Sequence, residues 1–195
     1  MACRSSEMNF DSAYAYGSYE GSLRDLIHLY KYAKVESLSQ PLSRLLIQAI
    51  PLNENFDVIQ PMPMHWRKQW QRGFNQAELI AEPVARRYGL KLANNLCRKR
   101  YTAAQAGLDE RQRRLNLRDS FRLRRPDEIR GRRILLIDDV FTTGSTLRAA
   151  TGVLKAAGAE RVTALTLARV DHRGFDQTPL SRGGRKSQSA GTGVK

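Results

Sequence analysis

Residues 134–146 read Ile-Leu-Leu-Ile-Asp-Asp-Val-Phe-Thr-Thr-Gly-Ser-Thr, and they say more about the architecture than any other part of the chain. The four apolar residues at the start predict a strand buried on both faces, as is typical of a parallel sheet. Asp138 and Asp139 follow where we expect that strand to end. A turn rich in hydroxyl groups comes next, and residues 147–157 have the composition of a helix. The stretch therefore predicts a strand, an acidic pair, a turn and a helix in that order.

This order of elements indicates a site for a phosphorylated sugar. Ligands of open α/β sheets bind beyond the carboxyl ends of the strands, and N–H groups at a helix N-terminus attract anions. We expect the turn to hold a phosphate and the two carboxylates to contact sugar hydroxyls or a metal ion. The turn residues are Thr142, Thr143, Gly144, Ser145 and Thr146. The alternative is that these residues only cap a helix.

The segment resembles the phosphoribosyl pyrophosphate (PRPP) motif of type I phosphoribosyltransferases, and other stretches narrow the resemblance to the ComF family. These stretches are Tyr19 to His28, Pro61 to Met64, Arg72-Gly73-Phe74-Asn75-Gln76 and, in the family's order, Thr102, Gln105, Gly107, Leu108, Arg111, Arg114, Asn116 and Phe121. The resemblance runs from about Tyr14 to Arg169. It implies an α/β fold with a parallel sheet and flanking helices, the type I phosphoribosyltransferase fold, plus a small N-terminal hood. It also implies that Asp138 and Asp139 are the catalytic carboxylates and that residues 142–146 bind the 5-phosphate of PRPP.

The alternation of strands and helices from Phe56 to Ala168 independently predicts a parallel sheet with right-handed crossovers. We expect residues 1–50 to form the hood and residues 51–170 the core. Residues 171–195 are rich in Gly, Ser and Arg and poor in apolar residues, which predicts a disordered tail. Predicted strands are 11–19, 56–62, 90–97, 120–123, 132–137 and 161–168, and predicted helices are 21–33, 41–50, 75–88 and 146–157.

Two further segments are candidate parts of the site. Residues 65–72 follow a predicted strand, and their cations Arg67, Lys68 and Arg72 are suited to hold the leaving pyrophosphate. The alternative is a set of solvent-facing loop charges. Residues 98–118 show no clear period and are a candidate mobile loop that closes over the site, with Gln105, Arg111 and Arg114 facing the ligand. The alternative for this segment is a basic surface hairpin without a ligand.

The positive charge of the chain is concentrated in one region. The formal net charge is +14, and residues 98–133 hold 13 Arg or Lys against 5 Asp or Glu, a net of +8. Such a segment is suited to contact nucleic acid, here through Arg111, Arg113, Arg114 and Arg118. It is equally suited to serve a polyphosphate ligand.

The expected cofactor is Mg²⁺, which prefers oxygen ligands and would bridge pyrophosphate and ribose hydroxyls near Asp138 and Asp139. ComF proteins usually begin with a four-cysteine zinc module. This chain has two cysteines, Cys3 and Cys97, and no C-x-x-C, so we expect no zinc. Residues 1–10 lack the apolar region of a signal peptide and no apolar run is long enough to span a membrane, which predicts a cytoplasmic protein.

Two functional classes follow from the resemblance. In the first, the protein binds PRPP and transfers its phosphoribosyl group to a nitrogenous acceptor with release of pyrophosphate. In the second, it is a single-stranded-DNA-binding protein linked to DNA uptake and competence, in which PRPP binding is regulatory or vestigial.

Overall fold

The computed structural model describes residues 10–33, 35–64, 73–98 and 120–170. Seven strands and four α-helices lie within these ranges. The strands are β1 (Ser12–Ser18), β2 (Val58–Pro61), β3 (Lys91–Leu92), β4 (Leu96–Arg98), β5 (Phe121–Leu123), β6 (Arg133–Phe141) and β7 (Arg161–Arg169). The helices are α1 (Gly21–Tyr32), α2 (Ser39–Ala49), α3 (Gln76–Tyr88) and α4 (Ser145–Ala156), with 3₁₀ turns at Glu36–Leu38 and Pro126–Glu128.

The main sheet has five parallel strands in the order β1-β7-β6-β2-β3. β6 lies at its centre because its residues 134–137 are fully apolar and the sheet is covered on both faces. Alternate residues of β6 face opposite sides. Leu135 and Ile137 pack with α1, α2 and α3, while Ile134 and Leu136 pack with α4 and the β4–β5 hairpin. The α/β fold predicted from the sequence is confirmed.

Two predicted strands differ from the observed ones by more than small shifts at their ends. β6 continues to Phe141, and Asp138 and Phe141 pair with Thr166 and Arg169 of β7, so the acidic pair lies inside the strand and not after it. The second difference concerns residues 90–97, which form two short strands, β3 in the main sheet and β4 in an antiparallel hairpin with β5.

The side chain of Gln60 explains why residues 90–97 divide into two strands. Its Oε1 accepts hydrogen bonds from the N–H groups of Asn95 (3.2 Å) and Leu96 (3.4 Å), and its Nε2 donates to the carbonyl of Pro61. A side-chain acceptor therefore takes the place of a ladder partner, and the chain leaves the main sheet at this point. Gln60 is 1% exposed, so these bonds are shielded from water.

The N-terminal segment belongs to the layers of the core. β1 pairs with β7 from Ser12↔Thr163 to Ser18↔Arg169 and forms one edge of the sheet. Buried residues of α1 and α2 share one hydrophobic cluster with α3, β6 and β7. The hood boundary at residue 50 stays a prediction, and the predicted tail, 171–195, lies outside the described residues.

The carboxylate of Glu54 joins β1 and β7, the first and last of the described strands. It accepts hydrogen bonds from Tyr14 OH (2.9 Å), Thr163 Oγ1 (2.7 Å) and Ser12 Oγ (3.2 Å). The side chain of Glu54 is 10% exposed. This buried cluster pins the amino ends of β1 and β7, at the opposite end of the sheet from the predicted ligand site. Among the helices in the described ranges, none has the length and apolar character needed to cross a bilayer.

Candidate active site at the carboxyl end of the sheet

The turn between β6 and α4 has the geometry of an anion site. Gly144 precedes the first residue of α4 and has a φ of 72°, in the left-handed region. Thr143 Oγ1 lies 2.9 Å from Ser145 Oγ and accepts from the Ser145 N–H at 3.4 Å, which orders the turn. The ladder of α4 begins with Arg148 N–H donating to the Gly144 carbonyl at 2.8 Å. The other N–H groups of the first helical turn are left for an external acceptor, as at any helix N-terminus.

Gly144 has no room for a side chain. A Cβ built on it would lie 2.8 Å from Cζ of Phe141, closer than real Cβ contacts. The Phe141 ring is itself held by Phe10, in an edge-to-face contact with centroids 6.1 Å apart, and by Arg169, whose guanidinium lies 5.5 Å from the ring centroid. The Phe141 ring therefore packs directly against the backbone of the turn.

Asp138 faces this turn. A small cleft is lined by Asp138 together with Phe141, Thr142, Gly144 and Thr146. Burial and the neighbouring charge of Asp139 raise the pKa of Asp138 to about 7, although its carboxylate Oδ1 accepts the Asp139 N–H at 2.9 Å. A carboxylate crowded by a second carboxylate is suited to accept hydrogen bonds from hydroxyl groups or to lie near a cation.

Asp139 forms an ion pair with a residue of α1. Its Oδ1 lies 2.9 Å from the ammonium of Lys31, in the last turn of α1. The two side chains are 16% and 17% exposed, so this is a largely shielded ion pair. Sequence reasoning missed Lys31, because nothing in its local sequence distinguishes it from other helix-end lysines.

The Arg-Gly-Phe-Asn-Gln run links this edge of the sheet to α3. Asn75 caps α3 by accepting the Ala77 N–H at 3.2 Å, and its Nδ2 donates to the Met62 carbonyl at the end of β2. Tyr30 OH donates to the Gln76 carbonyl at 3.0 Å, and the Tyr30 and Phe74 rings lie 5.9 Å apart. Burial and the charge of Asp139 raise the pKa of Tyr30, which keeps its hydroxyl a donor. The motif residues 74–76 therefore connect β2, α1 and α3 beside the acidic pair.

The structure brings together part of the predicted site. Asp138, Asp139 and residues 142–146 lie at one end of the sheet. The predicted pyrophosphate residues Arg67 and Arg72, the loop residues Gln105, Arg111 and Arg114, and the nucleic-acid residues Arg113 and Arg118 lie outside the described residues. Met62, which precedes the first of these loops, donates its N–H to the Ile137 carbonyl beside Asp138. The individual binding roles of all these residues stay predictions.

The fold and this edge of the sheet define the class of protein. The phosphoribosyl transferase domain family matches residues 75–188, and the chain belongs to that family. A solved structure of glutamine phosphoribosylpyrophosphate amidotransferase from B. subtilis superposes with a TM-score of 0.50 at 20% identity. It covers 68% of this chain, which corresponds to 26% of that enzyme, and it supports the type I phosphoribosyltransferase fold.

Two curated relatives narrow the class to the ComF family. Competence protein F of Haemophilus influenzae is 33% identical over 175 residues, which cover 86% of this chain and 76% of that protein. DNA utilization protein YhgH of Escherichia coli K12 is 34% identical over 158 residues, covering 77% of this chain and 69% of that protein. The ComF resemblance stated from the sequence is therefore confirmed.

Proposed function

We propose that the protein binds PRPP with Mg²⁺ and transfers the phosphoribosyl group to a nitrogenous acceptor, releasing pyrophosphate. The observation that carries this proposal is the shared cleft of Asp138 and the 142–146 turn. One wall of the cleft supplies a carboxylate and the other supplies helix N–H groups and hydroxyls. A ribose 5-phosphate unit needs both kinds of partner at this spacing along one backbone segment.

The turn and the two aspartates contact different parts of PRPP. The N–H groups of the 142–146 turn and the hydroxyls of Thr142 and Thr146, two residues that line the cleft, donate to the 5-phosphate, assisted by the dipole of α4. The carboxylates of Asp138 and Asp139 accept hydrogen bonds from the ribose hydroxyls. The same carboxylates stabilise the positive charge that develops on the ribose ring as the bond from its anomeric carbon to the pyrophosphate oxygen breaks. A bond from that carbon to the acceptor nitrogen forms, and the acceptor loses a proton.

The carboxylate oxygens of Asp138 and Asp139 suit Mg²⁺, and bound PRPP would supply most of its other ligands. Within the described residues, no cluster of three or more His, Cys, Asp or Glu residues could hold a metal ion, so Asp138 and Asp139 would act with phosphate oxygens and water. Bound Mg²⁺ would supply charge neutralisation at the leaving pyrophosphate. The two adjacent carboxylates favour a further cation here, although Lys31 already pairs with Asp139.

Calorimetric titration with PRPP, with and without Mg²⁺, tests the binding. The variant with Asp138→Asn and Asp139→Asn together should weaken Mg²⁺-dependent PRPP binding by more than tenfold, about 1.4 kcal/mol or more. Unchanged affinity in a folded double variant would show that Asp138 and Asp139 do not bind PRPP. A screen of nitrogenous bases for pyrophosphate release then tests the transfer reaction.

A second candidate function is binding of single-stranded DNA in a role in DNA uptake. The relatives are named as a competence protein and a DNA utilization protein, and the described part of the basic region carries exposed arginines. These exposed arginines are Arg122, Arg124, Arg125, Arg130 and Arg132. DNA binding that persists in a protein from which no acceptor base releases pyrophosphate would favour this function over the enzyme.

A further inference from the structure

The two adjacent carboxylates of the site have different surroundings. Asp138 lines the cleft beneath the 142–146 turn. Asp139, as the next residue in the strand, points to the side of the sheet that α1 covers, where it meets Lys31 at 2.9 Å. The N–H of Asp139 donates to Asp138 Oδ1 at 2.9 Å, so the two carboxylates are also linked through the backbone.

The contact between Lys31 and Asp139 involves only one carboxylate oxygen. The ammonium lies against Oδ1, and Oδ2 has no hydrogen-bond partner among the residues that the structure describes. Both side chains are more than four-fifths shielded. Removing the cation from such a pair leaves a poorly solvated, uncompensated carboxylate that is free to reorient. Lys31 therefore fixes the direction in which the second oxygen of Asp139 points.

We propose that Lys31 is a positioning residue for ribose recognition: it holds Asp139 Oδ1 from α1, so that Oδ2 is presented to a hydroxyl of the ligand. The inference rests on the proposed function, because it assumes that a ribose phosphate occupies this edge of the sheet. It adds a residue from the N-terminal helix to a site otherwise built from one strand, one turn and α4. Lys31 acts through Asp139 and makes no contact with the phosphate.

Two small probes separate this role from a general attraction for anions. Inorganic phosphate needs only the 142–146 turn, whereas ribose 5-phosphate needs the turn and the carboxylates. Lys31→Met should therefore weaken binding of ribose 5-phosphate by about fivefold or more and leave the affinity for inorganic phosphate within about twofold. A cation that merely raised the local potential would affect both probes, since both carry an anionic phosphate group.

Lys155→Met is the matched control. Lys155 also forms an ion pair with an aspartate, at 2.7 Å from Asp11 Oδ2, with side chains 30% and 35% exposed. It lies in the last turn of α4, away from the ligand end of that helix. The control removes the same charge and the same kind of contact, and it should leave both affinities unchanged.

Further variants test the pathway through Asp139. Lys31→Arg keeps a cation on α1 and should recover most of the affinity for ribose 5-phosphate. In an Asp139→Asn background, Lys31→Met should cause no further loss, because the carboxylate that it positions is gone. If Lys31→Met does not fold, Lys31→Gln takes its place with the same expected selectivity.

The outcomes distinguish the inference from the function on which it rests. Equal affinity of wild type and Lys31→Met for ribose 5-phosphate, or equal loss for both probes, would overturn the role of Lys31 while PRPP binding stands. Wild-type protein that binds neither PRPP nor ribose 5-phosphate would instead overturn the proposed function, and the Lys31 role with it.

Discussion

Gly144 lies directly against the ring of Phe141: a Cβ at residue 144 would come within 2.8 Å of Cζ. The φ of Gly144 is also 72°, a conformation that residues with a side chain rarely adopt. The Phe141 ring and the backbone angle therefore both require glycine at residue 144, in the turn that we assign to the phosphate.

Gly144→Ala should lower stability by about 1–2 kcal/mol and weaken binding of PRPP by about tenfold or more, because the turn must move away from the ring. Chemical denaturation and calorimetry measure the two effects. Gly158→Ala is the control, because Gly158 also has a positive φ, 87°, and lies beyond the other end of α4. It should lower stability without changing PRPP affinity, and an equal loss of affinity in both variants would argue against the phosphate assignment.

Asp138→Asn should change how the stability of the empty protein depends on pH. The folded pKa of Asp138 is about 7, above its ordinary value of 3.8. Between these values the native state retains a proton that the unfolded state releases, so native stability falls as the pH rises from about 4 to about 7 and is level above that. The Asn variant lacks this decline and should exceed wild type increasingly toward pH 7.

The measurement for Asp138 is urea denaturation over a pH series in buffer free of Mg²⁺ and ligand. Parallel profiles for the two proteins would show that Asp138 titrates normally. The same variant should lose PRPP affinity, so that a gain in stability accompanies a loss of binding.

A second pH effect comes from the amino end of the sheet. Arg133 donates to both carboxylate oxygens of Asp57, with Nη2–Oδ1 2.7 Å and Nε–Oδ2 3.0 Å, and these bonds lower the pKa of Asp57 to about 2. A lowered pKa stabilises the fold above the ordinary value of 3.8, and this stabilisation is lost as the pH falls through about 2.

Asp57→Asn should therefore cost about 1 kcal/mol at neutral pH, a modest value because the pair is partly exposed, and it should flatten the acid limb of the stability profile. Acid titration followed by circular dichroism checks this expectation. An unchanged acid limb would mean that other carboxylates dominate acid unfolding. PRPP affinity at neutral pH should not change, since Asp57 lies at the opposite end of β2.

Single-stranded DNA binding should depend steeply on salt. Each phosphate contact on a single strand contributes about −0.7 to the log–log slope, so replacing Arg111, Arg113, Arg114 and Arg118 by Ala should flatten the slope by up to about three units. Fluorescence anisotropy over a salt series measures the slope. Heparin of matched charge is the competitor, because a chain with net charge +14 attracts polyanions in general. Equal competition by heparin would leave DNA without a specific role.

Local patterns predicted those parts of the fold whose causes are local. Residues 134–137 are buried on both faces as expected, Asn75 and Gly89 bound α3, and Gly89 adopts the left-handed C-cap conformation with a φ of 63°. The division of residues 90–97 was not predictable, because it depends on Gln60, a side chain on another strand. Lys31 was missed for the same reason: its partner Asp139 is far away in sequence. Contacts between polar side chains that are far apart in the sequence produce no periodic pattern from which they could be predicted.

The pairing of β1 with β7 has a consequence for how the protein is made. Ser12 and Thr163 share a buried hydrogen bond across 151 positions of sequence, and Glu54 joins them. The edge strand therefore emerges from the ribosome long before its partner exists, and contacts of such high sequence separation form slowly. We expect the 51–168 region to gain its secondary structure first and the early segment to dock afterwards. Lys31 belongs to that segment, so we expect Asp139 to gain its ion pair with Lys31 only when the segment docks.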